Sequence, residues 1–136
     1  DEAESLKNNP LWCIGVALYW GEGGKTQNMA RIANSDPAVI TTMMRFFSEV
    51  CEVPKEKFRG HIHTFAHCDV RKAEQYWSNV STIPHTQFFK TYKKQSSASK
   101  HKRDQLPYGT FQIYVHDTNV FFRLMGWIEY LKQSKI

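Results

Sequence analysis

The sequence contains few cysteines and no pattern that would pair them. Its three cysteines, Cys13, Cys51 and Cys68, show no C-x-x-C spacing, and an odd number cannot pair completely within one chain. A disulfide-stapled secreted domain and a zinc ribbon are therefore not indicated. We expect an intracellular, reducing location in the cytoplasm, the nucleoid or an organelle.

The chain also lacks an apolar run that is long enough to cross a membrane. The longest such stretch, residues 11–20, has about half of the roughly 20 residues that a membrane-spanning helix needs. We therefore expect a soluble protein with no membrane partner. Because residue 1 is not Met, we also expect a domain excised from a longer product.

Acidic residues are outnumbered by basic ones. The chain has 18 Lys and Arg against 13 Asp and Glu, which gives a net charge of +5 at pH 7. This excess favours polyanionic partners such as nucleic acid. With 136 residues, 41% of them hydrophobic, the chain can build one core. We predict a single domain over 1–136, with a polar N-terminal segment at 1–9 and a flexible basic loop at 95–104.

Hydrophobic periodicity predicts helices that alternate with strands. Asn9 is a plausible cap for a helix that begins at Pro10 and ends at Glu22, before Gly23 and Gly24. Further helices are predicted from Asp36 to before Pro54, from Asp69 to Val80 and after Asp117, and strands at 27–34, 58–66, 87–92 and 109–116. The order α, β, α, β, α, β, β, α indicates a mixed α+β domain with helices on one sheet face.

Alternation along these strands gathers polar side chains on the face opposite the helices. The set is Gln27, Arg31, Arg59, His61, His63, Thr110, Gln112 and Tyr114, and we add Asn28 next to Gln27. Arg and Gln can make bidentate contacts with guanine and adenine edges, so this face is predicted to contact DNA. An ordinary solvated sheet face is the alternative, since such faces favour the same residue types.

Residues 90–103, KTYKKQSSASKHKR, concentrate positive charge without a single acid. Their basic side chains are Lys90, Lys93, Lys94, Lys100, Lys102 and Arg103. This density suits phosphate contacts, and we add Lys25 to the predicted DNA-binding set. A charged, solvated loop is the other interpretation.

The run GVALYWGEG, residues 15–23, ends an apolar helix in an acid and a glycine. It resembles the nine-residue signature of the LAGLIDADG homing endonucleases. The matching positions are the small residues Ala17 and Gly21, the apolar pair Leu18 and Tyr19, and the terminal Glu22 and Gly23, whereas Trp20 departs from the first acidic position. The resemblance implies a LAGLIDADG-like fold, with a curved antiparallel DNA-binding sheet and helices on its opposite face.

The motif also predicts a dimer. Ala17 and Gly21 lie four residues apart on one helical face, so two such helices can cross with their backbones close together. One motif per chain means that two active sites need two chains, and a C2 homodimer on a palindromic or near-palindromic site follows. The predicted interface residues are Gly15, Ala17, Leu18 and Gly21. Packing of Ala17 and Gly21 within one chain is the alternative.

Pairing of these helices would bring two Glu22 carboxylates together near the two-fold axis. Hard oxygen ligands suit Mg²⁺ or another hard divalent cation, and we predict Glu22 and Gly21 as metal-binding residues. Glu22 is the predicted catalytic acid, and the resemblance implies a nearby basic residue, for which Lys25 and Lys90 are the candidates. The predicted activity is metal-dependent, sequence-specific cleavage of double-stranded DNA.

Three alternatives remain at this point. A DNA-binding regulator or intron-splicing factor could keep the scaffold and lose catalysis. A small-molecule-binding α/β domain is a second alternative, although no glycine-rich loop follows a strand. The cluster His61, His63, His67 and Cys68 raises a zinc site as a third, although its spacing matches no familiar zinc motif.

Overall fold

The computed structural model describes residues 2–94 and 106–133. Its helices in this part of the chain are α1 (Glu2–Leu6), α2 (Pro10–Glu22), α3 (Pro37–Arg45), α4 (Val70–Ser81) and α5 (Thr118–Lys132). Its strands there are β1 (Ala30–Asn34), β2 (Phe58–Phe65), β3 (Tyr92–Lys94) and β4 (Thr110–Val115). A π-helical turn, Phe46–Val50, follows α3, and short 3₁₀ turns cover Lys55–Lys57 and His85–Gln87.

Helix α2 has the bounds that its sequence predicts. The side-chain oxygen of Asn9 accepts hydrogen bonds from the N–H groups of Leu11 and Trp12, at 2.9 and 3.2 Å. At the other end, the N–H of Gly23 donates to the carbonyl of Tyr19 at 2.7 Å. A side-chain cap and a terminal glycine thus delimit the helix.

The other predicted caps are also confirmed. The side chains of Asp36, Asp69 and Asp117 accept hydrogen bonds from the first turns of α3, α4 and α5. The segment predicted as a polar N-terminal region contains α1, which docks on α5. There the guanidinium of Arg123 donates to the Glu2 carboxylate at 3.0 Å.

The strands form one mixed sheet in the order β1-β4-β2-β3. Strand β4 runs antiparallel to both β1 and β2, whereas β3 runs parallel to β2. The fully antiparallel sheet that the resemblance implied is therefore wrong. Helix α4 connects β2 to β3 and returns the chain to the same end of the sheet, which makes the pairing parallel. The mixed α+β class is confirmed, and the LAGLIDADG-like fold stays a prediction.

Two predicted strands need correction. Strand β1 begins at Ala30 because Gln27 and Asn28 adopt left-handed backbone conformations, with φ of 64° and 54°. The bounds of the strand predicted at 87–92 are wrong, since a 3₁₀ turn covers Gln87, Phe88 forms an isolated bridge with Gly60, and β3 begins at Tyr92. The loop predicted at 95–104 lies outside the described residues.

The core lies between the helices and one face of the sheet. Helices α2, α3 and α5 contact β1, and α4 contacts β2. Strand residues that point toward the helices are buried, among them Ile32, Ile62 and Phe111, at 1% exposure or less. Within the described residues, every helix is too short or too polar to cross a bilayer. The three cysteines are free thiols.

Gly15 lies in this core rather than at a predicted dimer interface. A Cβ at residue 15 would overlap the ring of Phe46, which is fully buried. The prediction of Gly15 as an interface residue is therefore wrong, because its side of α2 is filled by the turn that follows α3. The glycine leaves the space that a phenyl ring needs.

We expect Gly15→Ala to lower the free energy of unfolding by about 1–3 kcal/mol, the usual range for overpacking a core. Urea denaturation measures this change. Gly126→Ala is the matched control, because no described atom lies within 4 Å of a Cβ at that position on α5. Equal stability of Gly15→Ala and the wild type would contradict the packing described here.

Candidate nucleic-acid interface

Among residues 2–94 and 106–133, no helix covers one of the two faces of the sheet, and we call this face the open face. The strand registers place these predicted residues on it: Arg31, Arg59, His61, His63, Thr110, Gln112 and Tyr114. Along β1, β2 and β4 they alternate with buried residues. Tyr114 lies between Arg31 and Arg59, with which it pairs on either side. The prediction that these side chains share a face is confirmed.

Other predicted DNA contacts lie elsewhere. Gln27 and Asn28 lie in the exposed turn before β1. Lys94 pairs with Phe65 and extends the open face, whereas Lys93 pairs with the buried Thr64 and points to the opposite side. Lys93, which was predicted as a phosphate contact, therefore does not lie on the open face. Lys100, Lys102 and Arg103 lie outside the described residues.

The open face is free of acids. Among residues 2–94 and 106–133, no Asp or Glu lies on a strand. Its two arginines are held by backbone carbonyls: Arg31 donates to the Thr26 carbonyl at 2.9 Å, and Arg59 donates to those of Glu56 and Phe58, both at 2.7 Å. These carbonyls orient the two side chains. A guanidinium carries five N–H donors, so each arginine still has donors for a ligand.

Aromatic side chains on the open face were missed in the sequence. Phe88 points inward, with its ring centroid 5.4 Å from that of Phe111, whereas Phe89 points outward, 5.3 Å from Tyr114. Phe89 is 41% exposed and Tyr92, on β3, is 55% exposed. The alternation of Phe88 and Phe89 was a usable signal, because adjacent residues in extended backbone point to opposite faces.

Two histidines lie beside these rings. The ring centroids of His61 and His63 are 4.5 Å apart, and Nε2 of His61 lies 3.1 Å from the carbonyl oxygen of Lys90. Partial burial, together with the neighbouring His61, lowers the pKa of His63. His63 therefore stays neutral to a lower pH than an ordinary histidine.

The zinc alternative gains no geometric support. His67 and Cys68 lie in the turn after β2, where the Sγ of Cys68 is 3.6 Å from Nε2 of His67. His61 and His63 lie on the open face instead. Within the described ranges, no three His, Cys, Asp or Glu side chains come together in a way that would hold a metal ion.

Glu22 ends α2 in an electrostatically unfavourable position. The negative end of a helix dipole disfavours an anion there by roughly 0.3–1 kcal/mol, and the last turn of α2 has no basic residue to offset it. Glu22 is exposed, and its side chain makes no ion pair or hydrogen bond with the described residues. The fold itself gives no reason for an acid at this position.

The end of α2 is tied to the β1 edge of the open face. The hydroxyl of Tyr19 donates to the Gly24 carbonyl at 2.5 Å and accepts from the N–H of Arg31 at 3.1 Å. Burial raises the pKa of Tyr19, so this hydroxyl keeps its proton. The N–H of Gly24 donates to the Arg31 carbonyl at 2.8 Å. Glu22 is thereby held beside the edge at which Arg31 lies.

The two candidate basic residues lie in different places. The Nζ of Lys25 donates to the Gly23 carbonyl at 2.8 Å, so Lys25 belongs to the same turn as Glu22. Lys90 follows the stretch that pairs with β2, whereas the Glu22 turn pairs with β1, the opposite edge strand. Lys90 does not lie beside Glu22 of its own chain.

The outer side of α2 is an apolar stripe that the described residues leave largely uncovered, although Leu18 is half-buried against the core. Its members are Ile14, Ala17, Leu18 and Gly21, at spacings of three and four residues that define one helical face. Ile14 is 50% exposed, and a Cβ at Gly21 would meet nothing within 4 Å. Ala17 and Gly21 are both exposed, so the alternative that they pack within one chain has no contact among the described residues to support it.

Comparison of the chain with models of protein families, with curated proteins and with solved structures found no match. What the described residues define is an α+β domain with one open, acid-free sheet face. At the edge of that face lies Glu22, which has no partner among the described residues, next to the stripe on α2.

Proposed function

We propose that the protein is a homodimeric, sequence-specific endonuclease that cleaves double-stranded DNA with the help of a divalent metal ion, inside the cell. The observation that carries this proposal is the α2 stripe, of which Ile14, Ala17 and Gly21 are exposed and Leu18 is half-buried. The stripe ends at Glu22, which has no partner among the described residues. A helix that is buried on one side and apolar on the other favours a second partner.

A second copy of α2 fits the stripe. In a C2 dimer, Ala17 of one chain would lie near Gly21 of its partner, and the reverse contact would form by symmetry. Small side chains at both positions permit close backbone contact. The two Glu22 residues would then lie near the axis, with one open face on each side, which suits a palindromic or near-palindromic DNA site.

The donor set at this position fits a hard cation such as Mg²⁺. The carboxylate of Glu22 and the carbonyl of Gly21, which accepts no hydrogen bond from the described residues, are oxygen ligands of the kind that Mg²⁺ prefers. One chain supplies too few of them, so two chains and DNA phosphates would complete the set. When bound, such a cation lowers the pKa of water and stabilises the departing oxygen.

The protein side chains would bind and position the duplex. Arg31, Arg59 and Gln112 of the open face would contact base edges, with about 1–3 kcal/mol of discrimination for each bidentate pair. Lysines would contact phosphates, which gives affinity without sequence information. These are Lys25, Lys90 and Lys94, with Lys100, Lys102 and Arg103 in the segment outside the described residues. Lys25 also places positive charge at the Glu22 turn.

Incubation with a randomised duplex DNA library, with Mg²⁺ or with EDTA, tests the proposal. We expect cleavage in Mg²⁺ only, at a sequence with two-fold symmetry. Tight, salt-dependent binding without cleavage would instead identify a DNA-binding regulator or splicing factor. An affinity that does not change with salt concentration would contradict any role in recognising a polyanion, because phosphate contacts release counterions.

We expect DNA affinity to rise as the pH falls from 7.5 to 5.5. A polyanion stabilises the protonated form of His63, so binding raises its pKa, and affinity must increase as the pH falls through that range. His61 and the Tyr92 hydroxyl are the titratable groups beside His63. We expect the ratio of the DNA affinities at pH 5.5 and pH 7.5 to be roughly threefold to tenfold smaller for His63→Gln than for the wild type. Fluorescence anisotropy measures both affinities.

The matched control is His85→Gln, in the 3₁₀ turn before β3. It should leave the pH profile of the wild type unchanged. An identical pH profile for wild type and His63→Gln would contradict a DNA contact at this histidine.

A further inference from the structure

We infer that the aromatic part of the open face binds unpaired bases of a single-stranded nucleic acid. We call this part the aromatic patch, and its members are His61, His63, Phe89, Tyr92 and Tyr114. The inference goes beyond duplex cleavage. The patch shares a face with the proposed duplex site, but binding of a single strand does not depend on cleavage.

The rings of Phe89 and Tyr92 are exposed to solvent, and pairing with β2 fixes the backbone of both residues. The N–H of Phe89 donates to the Gly60 carbonyl at 2.8 Å, and Tyr92 pairs with His63 in the sheet. Phe89 meets the rings of His61 and Tyr114 at interplanar angles of 87° and 83°. Neighbours therefore hold its ring by edge contacts, and 41% of Phe89 stays exposed.

Exposed aromatic rings on the open face favour a ligand with flat apolar surfaces. Phe88, one residue before Phe89, fills the core against Phe111, so core packing does not explain Phe89. Base stacking on aromatic side chains is the common device of proteins that bind single strands, and it tolerates any base because every base has a π-face. In a duplex these base surfaces are already stacked and hidden, and only edges and phosphates are presented.

The positive charge around the aromatic patch favours a flat ligand that also carries negative charge. Lys90 follows Phe89 directly, Lys94 extends the face beyond Tyr92, and Arg59 lies in the row of Tyr114. No acid of the described chain lies on any strand. A second copy of this face would be repelled by like charge, whereas a polynucleotide supplies phosphates for the basic groups and bases for the rings.

Anisotropy with short labelled oligonucleotides tests the inference. The probes are a 12-residue oligothymidine, the matching oligouridine, an abasic strand of equal length, and a duplex. We expect both base-containing strands to bind at least about tenfold more tightly than the abasic strand, because stacking adds to the phosphate contacts. Comparison of the DNA and RNA strands distinguishes the two sources of unpaired bases.

Single substitutions then locate the contact. Phe89→Ala and Tyr92→Ala should each weaken binding of the base-containing strands by roughly fivefold to a hundredfold, the range for one stacked base, and leave the abasic strand unchanged. Phe89→Trp should keep the affinity, whereas Phe89→Leu, which is apolar without a ring, should lose it. Phe122→Ala, at a ring on α5 that is 56% exposed, is the control that should change nothing.

The outcomes separate this inference from the proposed function. Equal affinity for base-containing and abasic strands, or equal affinity of Phe89→Ala, Tyr92→Ala and the wild type, would overturn the aromatic patch as a base-binding site, even in a protein that cleaves duplex DNA. Ring-dependent binding of single strands by a protein that cleaves no duplex would support the inference and overturn the proposed endonuclease.

Discussion

Glu22→Gln is expected to lower the rate of DNA cleavage by more than about a hundredfold and to leave DNA affinity unchanged. Loss of groups that only support a metal ligand costs roughly 10–100-fold, and a direct ligand should cost more. The amide keeps the size of the side chain and loses the charge that a cation needs. Since Glu22 is exposed and makes no ion pair in the described chain, the fold should not suffer.

Cleavage of a selected duplex site under single-turnover conditions measures the rate, and anisotropy measures the affinity. The matched control is Glu129→Gln, an exposed acid on α5 beside Lys132, which should cleave like the wild type. Removal of the Glu22 charge should also relieve repulsion at the end of α2, and so raise stability by a few tenths of a kcal/mol. Unchanged cleavage by Glu22→Gln would remove Glu22 from the catalytic site.

Gly21→Leu should convert the protein into a stable monomer that does not cleave. No described atom lies within 4 Å of a Cβ at Gly21, so a leucine there has space in the monomer. Between two closely crossing helices the same side chain would clash, and we expect the dimer dissociation constant to rise by about tenfold to a hundredfold or more. Sedimentation velocity across a concentration series measures this change.

Gly126→Leu is a closely matched control. Gly126 also lies within a helix, α5, and also has nothing within 4 Å of a Cβ. Both variants gain helix propensity from the loss of glycine. If both remain dimeric, or both become monomeric, the stripe on α2 is not the surface that joins the two chains.

The elements that could be predicted from sequence are those with local signals. Helix α2 is delimited by Asn9 and Gly23, which act within a few residues of the helix ends, and its predicted bounds are confirmed. Alternation likewise placed Arg59 and His61 on the open face correctly. Pairing is a tertiary property, and β3 pairs with β2 over three residues, which is too short for a periodic pattern to stand out.

The candidate site also combines features that have local sequence signals with features that depend on tertiary contacts. Helical spacing predicts that Ala17 and Gly21 share a face, and both residues are exposed among the described residues. Spacing could not show that Gly15 fits against Phe46, because the partner lies about 30 residues further along the chain. Phe89 is not among the predicted open-face residues because no alternation of faces is assigned to the predicted strand at 87–92, although the inward direction of Phe88 fixes that of Phe89.

The pairing of two α2 helices is tested most directly by cross-linking Gly21→Cys in a Cys13→Ser background under mild oxidation. A disulfide requires Cα atoms within about 7 Å of each other, so only close crossing at residue 21 permits a bond between chains. We predict a covalent dimer on non-reducing gels for Gly21→Cys and none for Gly126→Cys. Above the dimer dissociation constant, the Gly21→Cys disulfide should form at the same rate over a wide range of protein concentrations. A Gly21→Cys protein that stays monomeric, or that cross-links no faster than Gly126→Cys, would contradict the account.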